Sequence, residues 1–161
     1  MNLSGSIQVN LDLNEVIASG LDSGRLSLSR VPKQDFVSGT ATNQCDLRWS
    51  GSFTLAAGAS TTLTVSALTD PLGRSVALRR VKILLVESDA TLAGDKLTLG
   101  GAATHPWTAI GTFDVLPLGM EAKVGMGDGY PVNPGVSDQL LITNAGTHPI
   151  TFRLTLAGCS A

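Results

Sequence analysis

Residues 61–87 read TTLTVSALTDPLGRSVALRRVKILLVE. In the first half, Leu63, Val65 and Ala67 alternate with Thr62, Thr64 and Ser66. A period of two puts each set on its own face of a pleated strand. Threonine suits such a strand because it is β-branched. The segment TDPLG then supplies Pro71, which presets φ, and Gly73, which accepts positive φ. The second half resumes with Val81, Ile83 and Leu85 on one parity and Arg80, Lys82 and Leu84 on the other. The stretch therefore predicts a β-hairpin over 61–87. Arg79 falls on the apolar parity. Either it ends the strand with its stem buried and its head in water, or it crosses a subunit boundary.

The same period runs outward in both directions. In residues 4–13, Ile7, Val9, Leu11 and Leu13 oppose Ser6, Gln8, Asn10 and Asp12, as in one half-buried strand. NEVIASGLDSG (14–24) breaks the period with two glycines and leaves room for a single helical turn. RLSLSRV (25–31) reads as a short strand, and residues 32–44 read as a polar loop. Leu47, Trp49, Gly51, Phe53 and Leu55 share a parity, which makes Trp49 and Phe53 core anchors. Further short strands are expected in 95–101, 112–119 and 120–126, separated by HPWTAIG (105–111). GDGYPVNPG (127–135) is too rich in Gly and Pro for a strand interior. The segments 138–146 and 148–158 are expected to pair as a closing hairpin, with Ile150, Phe152, Leu154 and Leu156 inward.

About eight to ten short strands and no long helix point to an all-β chain, an antiparallel β-sandwich. A jelly roll is its most economical topology. An immunoglobulin-like sandwich fits less well, because the connections in 31–46 and 100–137 are long. The 161 residues make one domain, with residues 1–45 as a candidate N-terminal arm.

Charged residues are only 15% of the chain, against roughly 25% in an ordinary soluble domain. Thr, Ser, Asn and Gly replace them on the surface. Such a surface loses little hydration energy on contact, which suits a subunit packed against neighbours. The net charge is −2, and Arg79, Arg80 and Lys82 form the densest basic cluster. Direct nucleic-acid binding calls for a larger positive footprint. The start MNLSGSIQVNLDLN shows no secretion signal, and no apolar run is long enough to span a membrane. Synthesis in the cytosol follows, where free thiols are the default; whether Cys45 and Cys159 pair stays open.

The enzyme case is weak. His105 and His148 are the only histidines, and each precedes a proline, so both read as loop structure. Neither lies in a nucleophile motif or in a zinc-ligand spacing. Asp128 sits between glycines and offers oxygen for a calcium ion, but one acid is no ligand set. No cofactor is expected. Trp107 and Tyr130 together suggest a shallow platform for a sugar, although Trp107 fits a core residue beneath a loop better.

The run LRWSGSFTLAAGASTTLTVSALTDPLGRSVALRRVKILLVE, with the later pieces LTLGGA, YPVNPG and LLITNAG, resembles small virion proteins of tailed bacteriophages. The likeness covers residues 47–156 and lies in pattern and composition. It implies a jelly-roll or related β-sandwich displayed on the virion after synthesis in the host cytoplasm, as a capsid decoration or cement subunit. Its partners would be the major capsid protein and copies of itself, as dimer or trimer. A glycan-binding attachment module of a head or tail fibre is the alternative. Val9, Leu11, Leu13, Arg79 and Arg80 are the candidate subunit contacts.

Overall fold

The computed structural model describes residues 3–8, 11–19, 22–31 and 33–161. The strands come first as an N-terminal group: β1 (Gly5–Gln8), β2 (Leu11–Ser19), β3 (Asp22–Arg30) and β4 (Lys33–Phe36). Next are β5 (Leu47–Leu55), β6 (Ser60–Thr64), β7 (Leu68–Thr69), β8 (Ser75–Val76), β9 (Arg80–Ser88) and β10 (Leu97–Gly101). Last come β11 (Phe113–Val115), β12 (Met120–Val124), β13 (Tyr130–Pro131), β14 (Gln139–Asn144) and β15 (Ile150–Cys159). The helical content described is two 3₁₀ turns, Val65–Ala67 and Thr108–Ile110.

Two antiparallel sheets form the body, a β-sandwich-like arrangement. One runs β11-β10-β14-β6. The other runs β12-β9-β15-β5, with β13 also on β9. The core lies between them. Leu84, Val86, Phe152, Leu154 and Leu156 come from the second sheet, and Leu97, Leu99, Leu140 and Ile142 from the first. The expected inward set Ile150, Phe152, Leu154 and Leu156 is buried throughout. Trp49 is buried and Phe53 half-buried. The Phe53 ring stacks on Phe152 with centroids 5.3 Å apart.

Two expected hairpins do not form. Residues 61–87 hold β6 and β9, which lie in different sheets. The turn at Pro71 and Gly73 closes only the two-residue pair β7–β8. Likewise β14 pairs with β6 and β10, whereas β15 pairs with β5 and β9. In both cases the chain reverses direction by crossing from one sheet to the other. A turn signal reports the reversal and not the partner.

β9 is covered on both faces. Its ladder with β15 slips between Ala157 and Gly158, so that Ala157 pairs with Ile83 and Gly158 with Val81. Lys82 is left over as a β-bulge. The extra residue flips the parity, which is why Val81 and Leu84 both reach the main core. A Cβ at Gly158 would stand 2.0 Å from the Arg80 carbonyl oxygen, so only glycine permits this approach.

The N-terminal region departs most from its reading. Residues 4–13 are not one strand: β1 pairs with β4, and β2 pairs with β3 from Leu11↔Arg30 to Ser19↔Asp22. The segment 14–24, expected to break the pattern, is strand on both sides of residues 20 and 21, and the expected loop 32–44 contains β4. β-Branched Val16 and Ile17 favour the extended form once a partner strand is present.

Candidate assembly surface

Four features of the body and its N-terminal region could serve contact with another molecule. The first is the cover over the outer face of the β12-β9-β15-β5 sheet. Ile83 and Ala157 point outward from that sheet and form a second apolar cluster with Cys45 and Met126. Leu3, Ile7 and Phe36, from β1 and β4 and the residues before β1, pack onto it. An apolar cleft of about 210 Å³ runs beneath this cover, lined by Leu3, Ile7, Phe36, Ile83, Leu85 and Ala157 among others.

The second feature fastens that cover. Lys82, the residue left over by the bulge, is fully buried beneath the cover, and its Nζ donates to the Ala41 carbonyl at 2.5 Å. Cys159 Sγ lies 3.5 Å from the Gln44 carbonyl oxygen. Cys45 and Cys159 are both buried and both free thiols. Burial, with Cys159 close by, pushes the Cys45 thiol up to about 11. Burial raises Cys159 as well.

The third feature is the β2–β3 ribbon, a two-stranded sheet of its own. Among the described residues, β2 and β3 make extensive contact only with each other. Of the candidate contacts, Val9 lies outside the described residues, and Leu11 and Leu13 are described as backbone of β2. The register pairs Leu13 with Leu28, Leu11 with Arg30, Glu15 with Leu26 and Ile17 with Gly24.

The fourth is the edge strand β12. Its apolar residues Met120, Ala122 and Val124 are exposed, and its charged residues Glu121 and Lys123 are half-buried. Lys123 Nζ sits 4.7 Å from the centroid of the Phe113 ring and 3.7 Å from Glu121. Inward-pointing charge is one device that discourages pairing at a sheet edge, and in β12 it leaves the apolar side to solvent. The turn before it continues the apolar surface: Leu118 is 77% exposed and held at φ 54°, with its amide on the Ala90 carbonyl.

The remaining candidates fall elsewhere. The Arg79 side chain is exposed, with its backbone N–H on Cys159 O. Arg80 is half-buried, and its guanidinium donates to the Ala161 carbonyl at 2.6 and 2.9 Å. Trp107 is fully buried, and its Nε1–H donates to Pro131 O at 2.8 Å. It therefore presents no ring face to a sugar, and half-buried Tyr130 packs against the same core. Asp128 is exposed, and among the described residues no three His, Cys, Asp or Glu side chains converge as metal ligands. His105 acts through its backbone: its carbonyl accepts the amides of Asp138 and Gln139.

His148 has an acidic partner that its sequence neighbours do not show. Its Nδ1 lies 3.0 Å from Asp95 Oδ2, and the Thr147 amide donates to Asp95 Oδ1 at 2.8 Å. The Thr147 amide, followed by His148, holds the Asp95 carboxyl below the usual range despite burial. Gly146 is required beside it, since a Cβ there would meet Asp95 Oδ1 at 2.4 Å. Asp138 is buried between Ser66 and the 131–138 loop. Burial opposes its ionisation, but the Ser66 hydroxyl and the Gly135 amide outweigh that and lower its pKa. Among the described residues no helix is long and apolar enough to cross a membrane.

No family model matches the sequence, and no curated protein or solved structure matches it.

Proposed function

We propose that this chain is a structural virion subunit, a capsid decoration or cement protein that binds the major capsid protein and copies of itself by surface contact, without a catalytic step or a cofactor. The observation that carries the reading is the nesting of strand pairs. β5 lies beside β15, β6 beside β14, β9 beside β12 and β10 beside β11. The outermost strands of the 47–159 segment pair first with last, and each inner pair repeats the rule. This nesting supports reading the sandwich as a jelly roll, the architecture of many viral shell proteins. The low charge and the apolar outward side of β12 support a surface meant to be covered.

Lectin domains use the same wrap, so a fibre-borne glycan module is the second reading. It ranks lower because Trp107 offers no open ring. Purified chain mixed with assembled phage shells tests the first reading. Saturable co-sedimentation at a fixed ratio to the major capsid protein is expected. Shells that never retain the chain would refute it, and a glycan array with strong signals would then favour the second.

A further inference from the structure

We infer that β12 is the contact between two copies of this chain: its free edge pairs antiparallel with the same edge of a second copy, across a two-fold axis at Ala122. The inference deepens the assembly reading above, on which it rests, by naming the strand through which copies meet.

The backbone leaves the edge open. β12 ends its sheet and pairs with β9. The Ser88 amide donates to the Gly119 carbonyl at 3.1 Å, and the Gly125 amide to the Lys82 carbonyl at 2.8 Å. Both bonds continue the register that sets Met120 beside Glu87 and Val124 beside Ile83. In an antiparallel ladder, hydrogen-bonded pairs alternate with pairs that are not. Glu121 and Lys123 therefore direct their backbone groups to β9. The N–H and C=O of Met120, Ala122 and Val124 point away from the sheet. Such a row is a template for another strand.

The side chains select which strand. Glu121 and Lys123 stand beside Val86 and Leu84, two core residues, so they face the space between the sheets. Their side chains are 39% and 31% exposed. A neutral strand laid on this edge would strip water from both charges and return nothing. A second β12 answers each of them. Pairing about Ala122 sets Glu121 against Lys123 of the second copy, and Lys123 against its Glu121. These are pairs without backbone bonds, with Cα atoms about 4.5 Å apart, where opposite charges stabilise. Sliding the register by two residues would face Glu121 with Glu121, or Lys123 with Lys123, which is unfavourable. The charges that discourage other strands thus fix the partner and its register.

The outer face agrees. Met120 and Val124 are 62% and 41% exposed. The same register lays Met120 beside Val124 of the second copy, so the two apolar sides shield each other. The next pair outward is Gly119 with Gly125, which leaves the ends unobstructed. About six backbone hydrogen bonds join the edges. Five residues span about 17 Å, and the sandwich edge is roughly 20 Å deep with its side chains, so about 700 Å² is covered in total. That area belongs to weak, exchanging contacts. A shell that holds copies side by side raises their effective concentration. The two-fold axis closes the contact and stops growth at a dimer.

Sedimentation equilibrium of the full chain, in a concentration series up to ~0.5 mM, tests the inference. A monomer of 16.6 kDa in reversible exchange with its dimer is expected. Ala122→Pro removes an N–H that the isolated chain leaves facing solvent, and an edge strand accepts proline at such a position. It should weaken dimerisation by roughly tenfold or more at unchanged Tm. Glu121→Lys and Lys123→Glu each put like charges opposite and should also weaken it. An equimolar mixture of those two variants should recover dimer, as should the double exchange within one chain. A misfolded variant would not be rescued by mixing. A wild type monomeric at the top concentration, or dimers indifferent to all three variants, overturns the inference. A monomer that shells still retain would overturn it while keeping the proposed function. A β12-dependent dimer that no shell retains would do the reverse.

Discussion

Replacing Trp107 by alanine removes an indole that is 0% exposed and that links two parts of the fold. Its ring stands in the main core, and its Nε1–H reaches the Pro131 carbonyl at 2.8 Å. Truncating a fully buried tryptophan costs about 3–5 kcal/mol through lost transfer energy and the cavity left behind. Pro131 is exposed, so water can take over its carbonyl and the lost hydrogen bond adds little. Trp107→Phe keeps most of the ring contact and drops the N–H, and should cost about 1–2 kcal/mol. For a domain of this size, each kcal/mol lowers Tm by roughly 2–4 °C. The alanine variant should therefore melt roughly 6–20 °C below wild type, and the phenylalanine variant in between. Urea unfolding followed by circular dichroism gives the same order through Cm, with m unchanged. A loss under about 1 kcal/mol for Trp107→Ala would refute the core assignment, as would a specific loss of glycan binding at wild-type stability.

Acid should loosen the turn after β14. The Asp95 pKa is lowered chiefly by the Thr147 amide and then by His148, so its stabilisation is fully present above the ordinary carboxyl value of about 3.9 and is lost as pH falls through the lower folded value. Tm recorded against pH should fall more steeply for wild type than for Asp95→Asn, and the two curves should converge in acid; parallel curves would contradict the assignment. The thiols give a third check. Burial raises both Cys45 and Cys159, so a thiol reagent used near the ordinary cysteine pKa of about 8.5 should label the native chain slowly and the denatured chain quickly at two sites. Equal rates in both states would show that the thiols are open to solvent.

Much of the interior was legible from parity alone. The alternation in 150–156 names the four residues that β15 gives to the core, and the parity of Trp49 places it there too. Periodicity cannot say which strand lies alongside. The turn at 70–73 looks like a hairpin because a reversal within a sheet and a reversal between sheets use the same residues. It also fails at a bulge: once Lys82 is inserted, Val81 and Leu84 share an interior that strict alternation denies them. The uninterrupted ILLV run in β9 was the available sign of a strand covered on both sides.

The candidate surface was harder to see. MEAKV alternates well, but alternation is symmetric, and nothing local tells which of the two sets faces out. The Asp95–His148 pair spans 53 residues, and neither lies in a motif that announces the other. The N-terminal strands were mistaken because Ser- and Gly-rich segments carry weak strand signals until a partner supplies the ladder.

The nested pairing sets a schedule for folding. Ser50 and Thr155 meet across a ladder although 105 residues separate them. β5 emerges from the ribosome long before β15 has been synthesised, and it must wait with both hydrogen-bonding edges unfilled. Contacts this distant in the chain make for slow acquisition of structure and a long interval of vulnerability to mispairing. Ser50, Ser52 and Thr54 keep the outward face of β5 polar until β15 arrives.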